Sequence, residues 1–211
     1  RLLLEKYRVY HILMAQPEKT PRQMEFTIIS GSLKGRRITA PDLGITRPPL
    51  SRLRRSIFDF LTPYLDGASY LDLFSGSGSY LFEAVSRGVE TAVGVEREKR
   101  LADSINRQAK LLGIDQQLVC RCEDVFAAIP ALGRDGRWFD IILLAPPQYV
   151  RLVDQTLAAL AENPLSKAGG LIICQHDTNE TSQIGLYGFS VLQRREYGNT
   201  TFTVLGPREV L

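Results

Sequence analysis

The stretch Tyr70-Leu-Asp-Leu-Phe-Ser-Gly-Ser-Gly-Ser79 decides how this chain is read. Tyr70 to Phe74 is a short apolar strand, Ser75 to Ser79 a glycine-rich turn, and Tyr80 to Arg87 an apolar segment at helical spacing that Gly88 ends. In a strand–turn–helix unit the turn's N–H groups and the open helix N-terminus favour polar or anionic groups. Gly76 and Gly78 let a ligand approach the backbone closely. The next apolar run, Thr91-Ala-Val-Gly-Val95, ends in Glu96. An acid at the tip of the second strand suits the two hydroxyls of a ribose. Asp72, Ser75, Gly76, Ser77, Gly78 and Glu96 are therefore the candidate residues of an adenosine-type site. No third glycine opens the helix, which weighs against a dinucleotide dehydrogenase.

Outward from this unit the pattern alternates. Helices are expected at 98–112, 125–132 and 150–162, and strands at 117–121, 140–144 and 171–175, the last preceded by Gly169-Gly170. The chain ends in a hairpin, 188–197 with 200–205, turning at Gly198-Asn199. Alternating strands and helices predict an α/β fold, a mostly parallel sheet with helices on both faces and antiparallel strands at the edge. Ligands of such sheets bind at the carboxyl ends of the strands. Asp124, after the third strand, falls there as a reader of a purine amine or as a helix N-cap. Ala145-Pro146-Pro147-Gln148 follows the fourth strand, and its two prolines force a rigid, extended turn with a carbonyl pointing out.

Before this body the sequence is basic. A strand at Glu25–Ser30 and its return at Arg36–Ala40 form a small hairpin carrying Lys34, Arg36 and Arg37 at its tip. Ile45-Thr-Arg-Pro-Pro49 is extended. Residues 50–61 form a helix with Leu50, Leu53, Ile57, Phe58 and Leu61 on one stripe and Arg52, Arg54 and Arg55 on the other faces, ended by Pro63. Residues 1–14 are read as a short amphipathic helix and 15–23 as a linker. The formal net charge is +3, yet residues 1–61 hold twelve basic and five acidic side chains, a balance of +7 against −4 in the remainder. A basic end on an acidic body points to a polyanion partner such as nucleic acid.

Composition narrows the class further. The 211 residues are 44% hydrophobic and 23% charged, ordinary for a globular protein, and no run approaches the roughly 18 apolar residues of a membrane span. The odd count of Cys120, Cys122 and Cys174 argues against a disulfide framework or a zinc site, so no metal is expected and the thiols are read as buried and inert in a reducing compartment.

Several motifs, in order, resemble the bacterial RsmD family of 16S rRNA guanine-N2 methyltransferases. They are Ile28-Ile-Ser-Gly-Ser-Leu-Lys-Gly-Arg-Arg37, Thr46-Arg-Pro48, the helix from Leu53 to Leu61, Asp72-Leu-Phe-Ser-Gly-Ser-Gly78, Ser86-Arg-Gly88, Val95-Glu96, Phe139-Asp140 and Glu196-Tyr-Gly-Asn-Thr200. The match spans about 27–205. It implies a Rossmann-like S-adenosylmethionine-dependent methyltransferase fold with a seven-stranded sheet, and a cytoplasmic enzyme acting on 16S rRNA, the small ribosomal subunit or an assembly intermediate; the composition, with 17 glycines, is read as that of a monomer. By this resemblance the Ser75–Gly78 loop holds the methionine and ribose side of the cofactor, Glu96 takes the ribose hydroxyls and Asp124 reads the adenine amine. Lys34, Arg36, Arg37, Arg52 and Arg55 are expected to face RNA, and Arg47 to sit by the cofactor or the RNA backbone. The division expected is an extension at 1–24, a basic RNA-binding appendage at 25–66 and the methyltransferase domain at 67–211. One departure stands out. Related amino-methyltransferases carry Asp/Asn-Pro-Pro-Tyr/Phe after the fourth strand, where the first side chain accepts from the target amine and the aromatic stacks on a flipped base. Here Ala145 and Gln148 occupy those places, leaving carbonyls to align the amine, with Tyr149 one residue on. The alternative this raises is an RNA-binding assembly factor on a methyltransferase scaffold.

Overall fold

The computed structural model describes residues 22–44, 51–147 and 151–207. The expected helix at 1–14, Arg47, Gln148 and Tyr149 lie outside the described residues. Two strands, β1 (Gln23–Thr27) and β2 (Arg37–Pro41), form an antiparallel pair ahead of helix α1 (Ser51–Leu65). The body then alternates: β3 (Ser69–Asp72), α2 (Ser79–Ser86), β4 (Thr91–Glu96), α3 (Lys99–Leu111), β5 (Leu118–Cys122), α4 (Val125–Arg134), β6 (Phe139–Leu144), α5 (Leu152–Glu162) and β7 (Ser166–Asp177). A 3-10 turn at Thr178–Gln183 leads to β8 (Phe189–Tyr197) and β9 (Thr200–Pro207).

These strands make one seven-stranded sheet in the order β5-β4-β3-β6-β7-β9-β8. β9 is antiparallel to both its neighbours and all other pairings are parallel. The order reverses between β3 and β6, so a crevice opens at their carboxyl ends. Period-two alternation sorts the strand residues onto two buried faces. Tyr70, Ala92, Leu118, Ile141, Leu143, Ile173 and Phe202 face the layer of α1, α2 and α3. Leu71, Leu73, Val93, Val95, Ile142, Leu144, Ile172 and Cys174 face α4 and α5.

The β1–β2 pair and α1 share the first of these cores. Phe26, Ile28, Ile38, Leu53, Ile57, Phe58 and Leu61 are all buried against α2 and the sheet. A charged group fastens the contact. Glu83 on α2 has no exposed surface, and its oxygens accept from the amides of Ile29 (2.8 Å) and Ser30 (3.1 Å). Arg87 Nε lies 2.8 Å from Glu83 Oε1, and Arg54 Nε 3.9 Å from Oε2. Arg54 Nη2 donates to the Thr27 carbonyl at 2.6 Å. Beside it the end of α2 grips the loop after β1: Ser32 N donates to the Ser86 carbonyl and Leu33 N to the Ser86 hydroxyl. Gly31, at φ +87°, is required there, since a Cβ would come within 1.7 Å of the Ser86 oxygen.

Several expectations are corrected. The β1–β2 hairpin forms with Lys34, Arg36 and Arg37 exposed, but Arg37 opens β2 and the loop before it is docked on α2. Arg54 turns inward, because only an arginine on that face of α1 reaches both Glu83 and the Thr27 carbonyl. Pro63 does not end α1: it sits in the last turn and Leu65 continues into the core, with the break at Gly67 (φ +68°). Gly169-Gly170 lies inside a longer β7, where the register with β6 shifts and a Cβ on Gly170 would crowd the Asp140 carbonyl. Cys122 is exposed at the end of β5, whereas Cys120 and Cys174 are buried. Gly198-Asn199 does form the two-residue turn between β8 and β9, with Tyr197 opposite Thr200.

Removing the Glu83 carboxylate strands Arg54 without its counter-charge. Glu83→Ala is expected to lower the unfolding free energy by about 3–5 kcal/mol, the scale for breaking a buried pair. Urea denaturation checks it, and a loss under 1 kcal/mol would show that the cluster does not fix the appendage.

Candidate functional site

The carboxyl ends of β3, β4 and β6 lie side by side, with Asp72 opposite Gly94 on one neighbour and Leu143 on the other. After β3 the chain turns tightly. Ser75 N donates to the Val95 carbonyl (3.0 Å), the Ser75 hydroxyl donates to the Asp72 carbonyl (3.2 Å), and Gly78 N closes on the Ser75 carbonyl (2.7 Å). Gly76 (φ +51°) and Gly78 (φ +81°) take left-handed conformations, and Gly78 starts α2. A Cβ on Gly78 would also press on Ile105 and Phe82. The sequence reading missed Gly94, whose absent side chain lets the loop settle on β4. A Cβ there would lie 2.6 Å from Ser75 Oγ and 2.5 Å from Leu81 Cδ1. The signal was a glycine inside a strand, which marks close backbone approach.

Glu96, at the tip of β4, accepts from Gly76 N (2.8 Å) through one oxygen and from Glu98 N (2.7 Å) through the other. It thus ties the loop after β3 to the start of α3. Each carboxylate oxygen has a second acceptor direction left, which suits a pair of vicinal hydroxyls. Asp72 is wholly buried. Its Oδ1 accepts from Phe74 N at 3.2 Å, while Oδ2 has no hydrogen-bond partner. Burial raises its pKa to about 7; the Phe74 amide pulls the other way and the Glu96 charge pushes further up. A buried carboxyl oxygen without a donor fits a ligand that brings a cation or hydroxyl to this spot.

The remaining candidates sit around this cradle. Asp124 is exposed and caps α4, accepting from Phe126 N at 2.9 Å. That is the capping role its position allowed, and its second oxygen stays open. Ala145 is half-buried against the α1/α2 core, Pro146 is buried and Pro147 exposed. Ser77 is buried inside the loop. Lys34, Arg36, Arg37, Arg52 and Arg55 are exposed on the layer of the appendage and α1; of these, Arg37 pairs loosely with Glu25 (3.7 Å).

A parallel sheet in this strand order, with a glycine turn and an acid at the tips of its first two strands, is that of the S-adenosylmethionine-dependent methyltransferases. The solved RNA methyltransferase from Salinibacter ruber in complex with S-adenosyl-L-homocysteine shares the fold at a TM-score of 0.58, 17% identity, 78% of this chain and 96% of that one. The family model described as "Conserved hypothetical protein 95" matches residues 26–206. The Bacillus subtilis protein named "Putative rRNA methyltransferase YlbH" is 32% identical over 182 residues, 86% of this chain and 98% of its own. The Haemophilus influenzae protein named "Ribosomal RNA small subunit methyltransferase D" is 27% identical over 156 residues, 74% of this chain and 81% of its own. The chain belongs to this RsmD-like family.

The buried carboxyl of Asp72 generates a pH prediction. An ordinary aspartate titrates near 3.9, so between about pH 4 and pH 7 the folded ligand-free protein binds more protons than the unfolded chain. Its stability therefore falls as pH rises through that window. Asp72→Asn, which cannot ionise, is expected to have a higher melting temperature than the parent at pH 8. That advantage should shrink towards pH 4.5. Melting curves of both proteins without cofactor check this; a gap that does not change with pH would place the carboxyl in a wetter site.

Proposed function

We propose that this methyltransferase transfers a methyl group to the N2 amine of a guanine in 16S rRNA of the small ribosomal subunit. The observation that carries the reading is one helix serving two tasks. α2 begins at the Gly76–Gly78 cradle and ends in the grip on the 28–33 loop, so the cofactor site and the cationic surface form one rigid unit. The motif resemblance to the guanine-N2 family and the relatives' names support the substrate class.

In this reading Glu96 accepts the ribose hydroxyls, Asp72 meets the amino-acid end of the cofactor, the Ser75–Gly78 turn lies along it and Asp124 reads the adenine amine. The cofactor supplies an electrophilic methyl carried on a sulfonium. The protein's own contribution is alignment: the base amine must stand about 3 Å from that carbon with its lone pair turned towards it. Ala145 and Pro146, at the end of β6, border that position with their carbonyls. The exposed Lys34, Arg36, Arg37, Arg52 and Arg55, with Arg47, neutralise RNA phosphates.

Mass analysis of 16S rRNA from a strain lacking this protein tests the reading. One N2-methylguanosine is expected to disappear and to return when the purified protein and S-adenosylmethionine are added. Unchanged N2-methylguanosine would overturn it. The cationic arm is tested separately: Lys34, Arg36 and Arg37 replaced together by alanine should weaken RNA binding and flatten the log–log salt dependence by about 2–3, at roughly 0.7–0.9 per phosphate contact. Filter binding across a salt series reads this, and an identical slope would remove these residues from the RNA interface.

A further inference from the structure

Position 145 offers the target amine no side-chain acceptor, but a polar group stands beside it. Gln175 follows Cys174 on β7 as Ala145 follows Leu144 on β6, and Cys174 and Leu144 are paired in register. Residues level with one another on parallel strands point to the same face. Leu144 and Cys174 face α4 and α5. Ala145 and Gln175 therefore face the other layer, where Ala145 packs against the α1/α2 core.

Gln175 is also held in place. The hydroxyl of Tyr80, in the first turn of α2, donates to Gln175 Oε1. Tyr80 is buried, and burial raises its pKa, with the nearby Asp72 adding to the rise, so the phenol stays protonated and keeps its donor. α2 springs from the tip of β3, and the sheet runs β3-β6-β7. The Tyr80–Gln175 bond therefore crosses the end of β6, the strand that carries Ala145. Gln175 is half-buried, and its amide nitrogen has no hydrogen-bond partner among the described residues. On its far side Phe202, paired with Gln175, stacks on Tyr197, whose hydroxyl bonds Ser56 on α1. An amide clamped from behind, at the rim of the crevice, is a built recognition group.

We infer that Gln175, held by Tyr80, is the substrate-contacting residue that supplies the amine acceptor missing at Ala145. This rests on the guanine-N2 reading above. A carbonyl oxygen accepts two hydrogen bonds; Oε1 spends one on Tyr80 and takes the target N2–H with the other. Nε2 then donates to the ring nitrogen beside that amine, the same amide-to-purine pairing by which Gln and Asn read an amine next to a ring acceptor. Held so, the N2 lone pair forms the new N–C bond as the methyl–sulfur bond breaks, its electrons staying on sulfur, and the surplus proton on N2 leaves to solvent. Tyr80 is a positioning residue: it sets the amide's orientation and does not touch the base.

The test uses the full chain, S-adenosylmethionine and 16S rRNA from a strain lacking the protein, with kcat, KM for RNA, cofactor Kd and melting temperature measured for each variant. Gln175→Leu is expected to lower kcat at least tenfold while cofactor Kd stays within twofold. Gln175→Glu, which keeps an acceptor, should lose less, and Tyr80→Phe should fall between. The decisive variant is Gln175→Leu with Ala145→Asn, which returns an acceptor from the neighbouring strand and should recover much of the lost kcat. An active parent with Gln175→Leu equally active, or with a loss that Ala145→Asn does not restore, would overturn the assignment and leave the guanine-N2 reading standing. A parent that makes no N2-methylguanosine would overturn both.

Discussion

The arrangement of this molecule depends on one buried carboxylate. Glu83 sits in the middle of an otherwise apolar helix, and dehydrating a charge there is costly unless it is fully partnered. Its partners come from three segments: two backbone amides of the 28–30 stretch, Arg54 of α1 and Arg87 at the C-cap of its own helix. Burial pulls the Arg54 pKa down, and Glu83 is the largest influence opposing it. Such a cluster contributes little net free energy relative to an apolar packing of the same shape. What it fixes is position. An appendage attached by apolar contacts alone could slide along α2. One that must present Ile29 and Ser30 N–H groups to two given oxygens cannot.

That constraint propagates to the site because α2 is short. It has eight residues, with the glycine turn at one end and the grip of Ser86 on Ser32 and Leu33 at the other. Gly31 and Gly78 lie near its two ends, and at each the packing leaves no room for a side chain. Moving the arm therefore means moving the helix that frames the glycine turn, and the same helix carries Tyr80. The cationic surface, the cradle and the amide beside Ala145 are thus set relative to one another by a single rigid element.

Much of this was legible in the residues. The alternation of strands and helices, the turn at Gly76–Gly78, Glu96 at the second strand tip and the closing Gly198-Asn199 turn all follow from local rules, and the structure places them as read. What was not legible are contacts between segments far apart in the chain. Arg54 looked like one more cation on a polar face, because nothing in a helix's own period shows that a carboxylate 29 residues on will be buried opposite it. The signal available was Glu83 itself, a lone charge in an apolar helix. Cys122 follows Cys120 by the two residues that put side chains on one face, yet the strand ends there and the second thiol is exposed. Pro63 misled because proline usually breaks helices, whereas here the helix runs two residues further and buries Leu65.

Gln175 is the residue where local and long-range reading diverge most. By sequence it is a polar residue at the end of an apolar strand, one of many, and the proline turn after β6 drew attention to its own neighbours instead. Strand order changes its meaning. In the chain, Tyr80 and Gln175 are separated by 95 residues; in the sheet, only β6 lies between the strands they attend. If the proline turn after β6 is the catalytic turn proposed above, it lacks a polar side chain and is an incomplete site when read along the chain. Read across the sheet, the acceptor has a place one strand over, where a buried, protonated tyrosine holds it at the level the missing group would have occupied. Since alignment of the amine is the larger requirement for this chemistry, an acceptor delivered from β7 can serve as well as one delivered from β6, provided it is equally fixed, and the Tyr80 hydroxyl is what fixes it.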